Sequence, residues 1–341
     1  VSAAADLVRA EGLSTHFAMR QGLGDRLRRR DGALVRAVDR VDLRVGPGEI
    51  VGLVGESGCG KTTLGRTIMG LLPAAKGTLA FNGVDITHAG RGEWRGLRRR
   101  MQMIFQDPYA SLSPRMRVSA LLEEPYRIHD VPADERYAVP ELLAMVGLSA
   151  EQAEKYPHEL SGGQARRIGI ARTLALRPEF IVADEPTSGL DVSAAAAILN
   201  LIQDLRRQHG LAFLVITHNV NTLSFLADRV AVMYLGRVVE SGTTADVLER
   251  PSHPYTRALL AAVPDIEPDG VDVERAALIE GEIPSPLDPP SGCRFRTRCP
   301  HARPGVCEEP PVLVEIEPGH AIACGRWPDV QRDEAWAQAG V

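Results

Sequence analysis

The run Gly55-Glu56-Ser57-Gly58-Cys59-Gly60-Lys61-Thr62-Thr63 carries the first chemistry this sequence offers. It fits Gly-x4-Gly-Lys-Ser/Thr and follows an apolar segment, Glu49-Ile-Val-Gly-Leu-Val54. Glycines there let backbone N–H groups wrap a polyphosphate. The lysine brings a point charge to the terminal phosphates, and the threonine hydroxyl reaches Mg²⁺. Those roles fall to Lys61 and Thr62, and a helix starting there aims its positive end at the anion. The plain alternative is a tight turn. Two later segments weaken it. Leu160-Ser161-Gly162-Gly163-Gln164 offers backbone donors at a helix start, and Phe180-Ile-Val-Ala-Asp184-Glu185 is a buried strand ending in two carboxylates. Asp184 is placed to hold Mg²⁺ with Thr62, and Glu185 to polarise an attacking water. Two such carboxylates could instead cap the next helix.

Sulfur forms the second constellation. Cys59 stands alone in the glycine-rich run, whereas Cys293, Cys299, Cys307 and Cys324 follow the spacing Cys-x5-Cys-x7-Cys-x16-Cys. Without an oxidising compartment, clustered thiols favour metal over disulfides. The spacing alone leaves structural zinc and an iron–sulfur centre both open, beside the plain alternative of four unrelated thiols. His301 and His320 lie close in sequence and are not needed as ligands.

The bulk numbers narrow the class. A chain of 341 residues can bury a full core. With 39 basic against 44 acidic residues the net charge is −5, which argues against nucleic acid as the main partner. No apolar run approaches the ~18 residues that span a bilayer. The beginning of the sequence lacks the charged and apolar regions of a secretion signal, so a cytosolic protein is expected.

Alternating apolar and polar residues predict half-exposed strands over 6–17 and 33–45, flanking a basic run at Arg26–Arg30 that reads as a solvated loop. A helix is predicted over 62–72, a hairpin turn at Asn82-Gly83 and a strand over 101–106. Helical spacing over 117–128 and 134–147 marks a mainly helical insert. From Ile168 helix and strand alternate: helix to Leu176, strand 180–184, helix 193–208, strand 211–217. Such alternation implies a largely parallel sheet with its ligand at the strands' carboxyl ends. A hairpin follows at 230–240. Pro251, Pro254 and Pro264 mark a boundary to an extended, Pro-rich linker over 251–292, ahead of a cysteine module over 293–341.

With these residues in order, the chain resembles the ATP-binding subunit of an ABC transporter over residues 6–250. Gly55–Thr62 looks like Walker A, and Gln106 in Phe-Gln-Asp-Pro108 like the Q-loop glutamine. Leu160–Gln164 matches the ABC signature, Asp184-Glu185 the end of Walker B, Ser188-Gly-Leu-Asp191 the D-loop, and His218 the switch histidine. The resemblance implies an α/β P-loop NTPase core with antiparallel β and helical subdomains, the helical one at about 107–165, all within a nucleotide-binding domain over 1–250. It implies ATP and Mg²⁺ as cofactors. Thr62, Gln106 and Asp184 would serve Mg²⁺, Glu185 would be the catalytic base, and Lys61 and His218 would reach the γ-phosphate. Ser161, Gly162, Gly163 and Gln164 would close over ATP held by a second ATPase subunit. Phe17 is the nearest match to an adenine-stacking aromatic and could equally be core. Three departures are Ala165-Arg166-Arg167 after the signature, Asn219 after the histidine and Gly189 in the D-loop. None removes a catalytic group.

The tail resembles the C-terminal extension of dipeptide and oligopeptide importer ATPases, through residues 250–263 and Gly292–Pro300. Residues 107–128 resemble the second ATPase of such heterodimeric pairs. This resemblance implies a four-iron four-sulfur cluster on the four cysteines, with zinc as the alternative. It also implies two transmembrane permease subunits, an extracytoplasmic peptide-binding protein acting indirectly, and a peripheral place on the cytoplasmic face of the cell membrane. A nickel or other small-solute importer shares that architecture. A soluble ABC ATPase acting on nucleic acid or ribosomes is the rival from another class, which the acidic net charge disfavours.

Overall fold

The computed structural model describes residues 6–18, 34–262, 281–327 and 329–332. The Arg26–Arg30 run and residues 263–280 of the Pro-rich segment lie outside the described residues.

Two sheets organise the chain. β1 (Val8–Ala18), β2 (Leu34–Val45), β4 (Lys76–Phe81) and β5 (Val84–Asp85) form an antiparallel sheet in the order β2-β1-β4-β5. Alternation puts Val8, Ala10, Val38, Val41 and Leu43 inside. Asn82 and Gly83 both take positive φ, 50° and 76°, as a two-residue hairpin turn demands. The second sheet runs parallel through β9 (Arg229–Tyr234), β3 (Ile50–Val54), β8 (Ala212–Thr217), β7 (Phe180–Asp184) and β6 (Met101–Ile104). β3, β7 and β8 are buried at every position. That is why they read as unbroken apolar runs: helices cover both faces.

The first two helices are α1 (Lys61–Ile68) and α2 (Arg91–Arg100). α1 ends earlier than the predicted helix, because Gly70 turns the chain at φ 62°. The helical insert contains α3 (Val118–Ile128), α4 (Val139–Met145) and α5 (Gly162–Leu174), packed through Leu121, Leu122, Leu142, Leu143 and Ile168. α6 (Val192–His209) is capped by Asp191 and stopped by Gly210 at φ 66°. α7 (Val220–Leu226) follows β8.

The C-terminal part differs from the extended linker expected at 251–292. α8 (Thr244–Leu248) is followed by α9 (Pro254–Ala261), a helix with Pro254 at its start, where a missing N–H costs nothing. Tyr255 and Thr256 are fully buried there. Nor is the cysteine region a detached appendage. β11 (Val314–Glu317) and β12 (His320–Ile322) extend the large sheet through β10 (Arg237–Thr243), giving eight strands in the order β11-β12-β10-β9-β3-β8-β7-β6. Glu240, fully buried on β10, accepts the N–H groups of Ser252 and His253 and pairs with His320 Nε2 at 2.8 Å. Asp246, Glu317 and His320 come within 4.8 Å of one another, but Arg250 pairs with both carboxylates, so an ion-pair lock explains the grouping.

Candidate nucleotide site and the cysteine module beside it

Gly55–Gly60 joins β3 to α1 at the carboxyl ends of the parallel strands. Two glycines have no alternative. Gly55 and Gly60 take φ 156° and 111°, and a Cβ there would sit 2.1 Å from the Met233 carbonyl and 2.2 Å from that of Ala37. Lys61 Nζ donates to the carbonyls of Gly55 and Glu56 at 2.7 and 3.0 Å. Cys59 is buried, and burial raises its thiol pKa.

Strand pairing brings the acidic pair to this loop. Thr62 Oγ1 donates to Asp184 Oδ1 at 3.0 Å. Burial lifts the Asp184 carboxyl above the usual carboxylate range, opposed by the Thr62 hydroxyl. A hydroxyl and a carboxylate oxygen converging beside a lysine suit a hard divalent cation such as Mg²⁺. Glu185 takes φ 49°, a left-handed conformation uncommon for a non-glycine residue. That turn points its carboxylate at His218 Nδ1, 2.7 Å away, with Thr217 Oγ1 at 3.3 Å. The His218 side chain remains 62% exposed, whereas Glu185 is nearly buried.

The other predicted residues divide. Gln106 is exposed, two residues beyond β6. Phe17 is 40% exposed at the end of β1, which removes the core alternative. It pairs with Val35, two residues before the Ala37 carbonyl that abuts Gly60. Ser161 caps α5: its Oγ accepts from Gln164 N–H, and Gln164 Oε1 accepts from Ser161 N–H. Of the departures, Asn219 caps α7 and Gly189 takes φ 74°.

Sequence reasoning noted Arg166 only as a departure after the signature and assigned it no role. It is only 2% exposed and donates to the carbonyls of Phe105, Gln106 and Ser188 at 3.0, 2.6 and 3.0 Å. One guanidinium thus ties the loop after β6 to the loop after β7. A charged residue following the glycine pair was the available signal.

Cys293, Cys299, Cys307 and Cys324 line one cavity with Phe295, His253 and Val330. Burial pushes the thiols of Cys293 and Cys299 up to about 11 and about 12 and raises that of Cys324. Backbone N–H groups point at the sulfurs: Phe295 and Arg296 at Cys293, His301 at Cys299, Arg326 and Trp327 at Cys324, and Arg303 at Cys307, the last at 3.4 Å. Two arginines reach from this module into the core. Arg294 pairs with buried Asp39 and donates to the Leu235 carbonyl. Arg298 grips Glu56 of the glycine loop.

Comparison with known proteins settles the family. The ABC transporter family model matches residues 38–188, and the model for the oligopeptide/dipeptide transporter C-terminal region matches residues 239–307. The oligopeptide transport ATP-binding protein OppF of Salmonella typhimurium is 48% identical over 293 residues, covering 85% of this chain and 87% of that protein. The chain belongs to the ATP-binding subunits of ABC transporters. OppF of Escherichia coli is likewise 48% identical over 294 residues, with the same shares covered. Among solved structures, the ATP-binding cassette MJ0796, a dimer in a post-hydrolysis state bound to ADP and Pi, superposes with a TM-score of 0.60 at 26% identity. The match covers 70% of this chain and 98% of that one. CbiO1 from Clostridium perfringens, part of a cbiONQ transporter complex, gives 0.60 at 25%, covering 72% and 92%. The Walker A segment follows β3 and the Walker B segment ends β7, two strands of one parallel sheet with β8 between them.

Proposed function

We infer that this chain is the ATP-hydrolysing subunit that powers import of short peptides through an ABC transporter. The observation that carries the reading is the joining of two pairs at one strand edge, Thr62 with Asp184 and Glu185 with His218, beside Lys61. The 48% identity to oligopeptide transport ATP-binding proteins supplies the cargo class.

The glycine loop and the α1 N-terminus hold the triphosphate, with Lys61 turning from the loop carbonyls to the terminal phosphates. Thr62 and Asp184 hold Mg²⁺, with Gln106 reaching toward it from the helical insert; when bound, the ion neutralises phosphate charge. Glu185 accepts the proton of the attacking water, and His218 and Thr217 fix the orientation of its carboxylate. Phe17 stacks on adenine.

Catalysis needs a second ATPase subunit. Neither Gly162 nor Gly163 takes positive φ, and a Cβ at either would find its nearest neighbour at 3.7 or 3.6 Å. Nothing among the described residues requires glycine there. The requirement comes from outside: backbone N–H groups at the start of α5 closing on ATP held by the partner. The same logic makes Phe105 and Tyr109, both exposed, part of the surface that receives a permease helix. No helix among the described residues is long and apolar enough to cross a membrane. In the importer reading the chain is a peripheral subunit at the cytoplasmic face, on two permease subunits. The extracytoplasmic peptide-binding protein acts only through those permeases.

The four cysteines fit a thiolate-bound centre. Buried thiols with raised pKa values are neutral alone, and backbone N–H groups aimed at sulfur favour the anionic form that metal requires. The spacing also lacks the Cys-x2-4-Cys knuckles of structural zinc sites. A four-iron four-sulfur cluster is the reading this supports, and its contribution is to cross-link the module.

The experiment is purification of the assembled complex from detergent-solubilised membranes, followed by ATPase assay with and without a peptide-loaded binding protein. Peptide-stimulated hydrolysis is expected. Hydrolysis indifferent to peptide and binding protein, or co-purification with nucleic acid or ribosomes in place of permeases, overturns the importer reading.

A further inference from the structure

We propose that Arg298 of the cysteine module is a positioning residue for ATP, acting through Glu56 of the phosphate loop. Glu56 is one residue past Gly55, inside the loop that wraps the phosphates. All three of its polar ends are held. Its N–H donates to Tyr255 Oη at 3.0 Å, and its carbonyl accepts Lys61 Nζ at 3.0 Å. Its carboxylate receives both Arg298 nitrogens, at 2.9 and 3.1 Å. The pair is well shielded, with side chains 6% and 20% exposed for Arg298 and Glu56.

The charge balance gives this contact its consequence. A free carboxylate in a loop built for a polyphosphate repels the ligand and competes for Lys61. A bidentate guanidinium removes that charge and fixes its direction. Arg298 is itself held by the module. It lies between Cys293 and Cys299, and its N–H donates to the Phe295 carbonyl at 3.0 Å. Phe295 packs edge-on against Tyr234 and Tyr255, with ring centroids 5.4 Å apart in both cases. The module's fold therefore decides whether Glu56 is neutralised. A purely structural ion pair, fastening the module to the core, would share this geometry. It differs in what restores binding once Arg298 is gone.

The proposal rests on Gly55–Thr62 being the nucleotide site, so Lys61→Ala is measured alongside. The assay is equilibrium titration of the full chain with a fluorescent ATP analogue and Mg²⁺, with a thermal melt of every variant. Arg298→Ala is expected to weaken binding about tenfold, the scale of one uncompensated charge near the ligand. Arg298→Ala combined with Glu56→Gln is expected to return affinity to within about threefold of wild type, because the repelling charge is gone. Arg298→Gln covers the case in which the alanine variant does not fold, and is expected to weaken binding in the same direction. Unchanged affinity in a folded Arg298 variant overturns the proposal. So does a double variant that binds no better than the Arg298 single, which is the result of a purely structural pair. Wild-type binding by Lys61→Ala would remove the nucleotide site, and the proposal with it. Lost binding there with unchanged Arg298→Ala removes the proposal alone.

Discussion

Replacing Arg166 by Met removes a guanidinium that joins three loop carbonyls and leaves a side chain of similar length in its place. Each hydrogen bond to a charged group contributes about 1.5–3 kcal/mol. Three such bonds, to Phe105, Gln106 and Ser188, set a ceiling near 5–9 kcal/mol, again by that scale. Two effects pull the net value down. Burial of the guanidinium costs several kcal/mol and lowers the Arg166 pKa, and Met regains apolar contact. The expected loss is about 2–3 kcal/mol, a fall in Tm of about 3–4 °C for a chain of this size. Activity should change in a specific way. Both loops that Arg166 ties, at Gln106 and at Ser188 after Glu185, carry or adjoin residues proposed for Mg²⁺ and the attacking water, and neither is the glycine loop. Turnover should therefore fall about tenfold while KM for ATP stays within about twofold, the pattern of an interaction needed in the transition state. Thermal melts and steady-state ATPase assays on the assembled transporter read both quantities. A variant that melts within about a degree of wild type, or that keeps its kcat, refutes the argument that this side chain couples the two loops.

Glu185→Gln should bind ATP normally and lose at least about 100-fold in turnover, since an amide cannot take the proton of water; near-normal hydrolysis would reject Glu185 as the base. Ser161→Arg should impair the site whose phosphates sit on the partner's Walker A and spare this chain's own, as single-turnover assays of each site would reveal. Single Cys→Ser changes at Cys293, Cys299, Cys307 or Cys324 should deplete iron and visible absorbance after anaerobic purification, whereas Cys59→Ser should not; stoichiometric zinc without iron or sulfide would replace the cluster assignment. Acid should unfold the protein partly through His253. Burial lowers its pKa to about 4 from 6.5, so the folded state holds it neutral, its Nδ1 accepting the Tyr255 N–H. That contribution is complete above 6.5 and is lost as pH falls toward 4, about 3 kcal/mol in all. Between pH 7 and pH 5, His253→Asn should lose less Tm than wild type; equal slopes would contradict this assignment.

What the sequence made legible follows from the range of the interactions involved. The Walker A loop is a local device: strand, glycine turn and helix lie within twenty residues, so composition and spacing expose it. The signature cap is local too, for Ser161 and Gln164 satisfy each other three residues apart. α9 was hidden because Pro254 reads as a breaker, although a proline at a helix start is harmless. The antiparallel strand β12 was hidden because three residues carry no period. Arg298 and Arg294 were absorbed into the cysteine spacing. Their partners stand 242 and 255 residues away, beyond any pattern in a single chain. Arg166 read only as a departure after the signature, because the carbonyls it binds lie in loops 22 and about 60 residues away.

The position of β12 has a consequence for how the protein is made. β10 emerges from the ribosome about eighty residues before His320, the residue that meets Glu240. At synthesis rates of about 5–20 residues per second, the outer edge of the main sheet stays open for several seconds. Open strand edges recruit other chains. Glu240, with no His320 to meet, is a charge set at that edge and discourages such pairing while the chain grows. The same delay leaves Glu56 without its arginine until the cysteine segment has been made and folded. A nascent subunit truncated before residue 298 therefore carries a complete set of nucleotide motifs and an uncompensated carboxylate among them. Proteolytic removal of the tail in that region would produce the same species, whose phosphate loop is expected to bind ATP about tenfold more weakly.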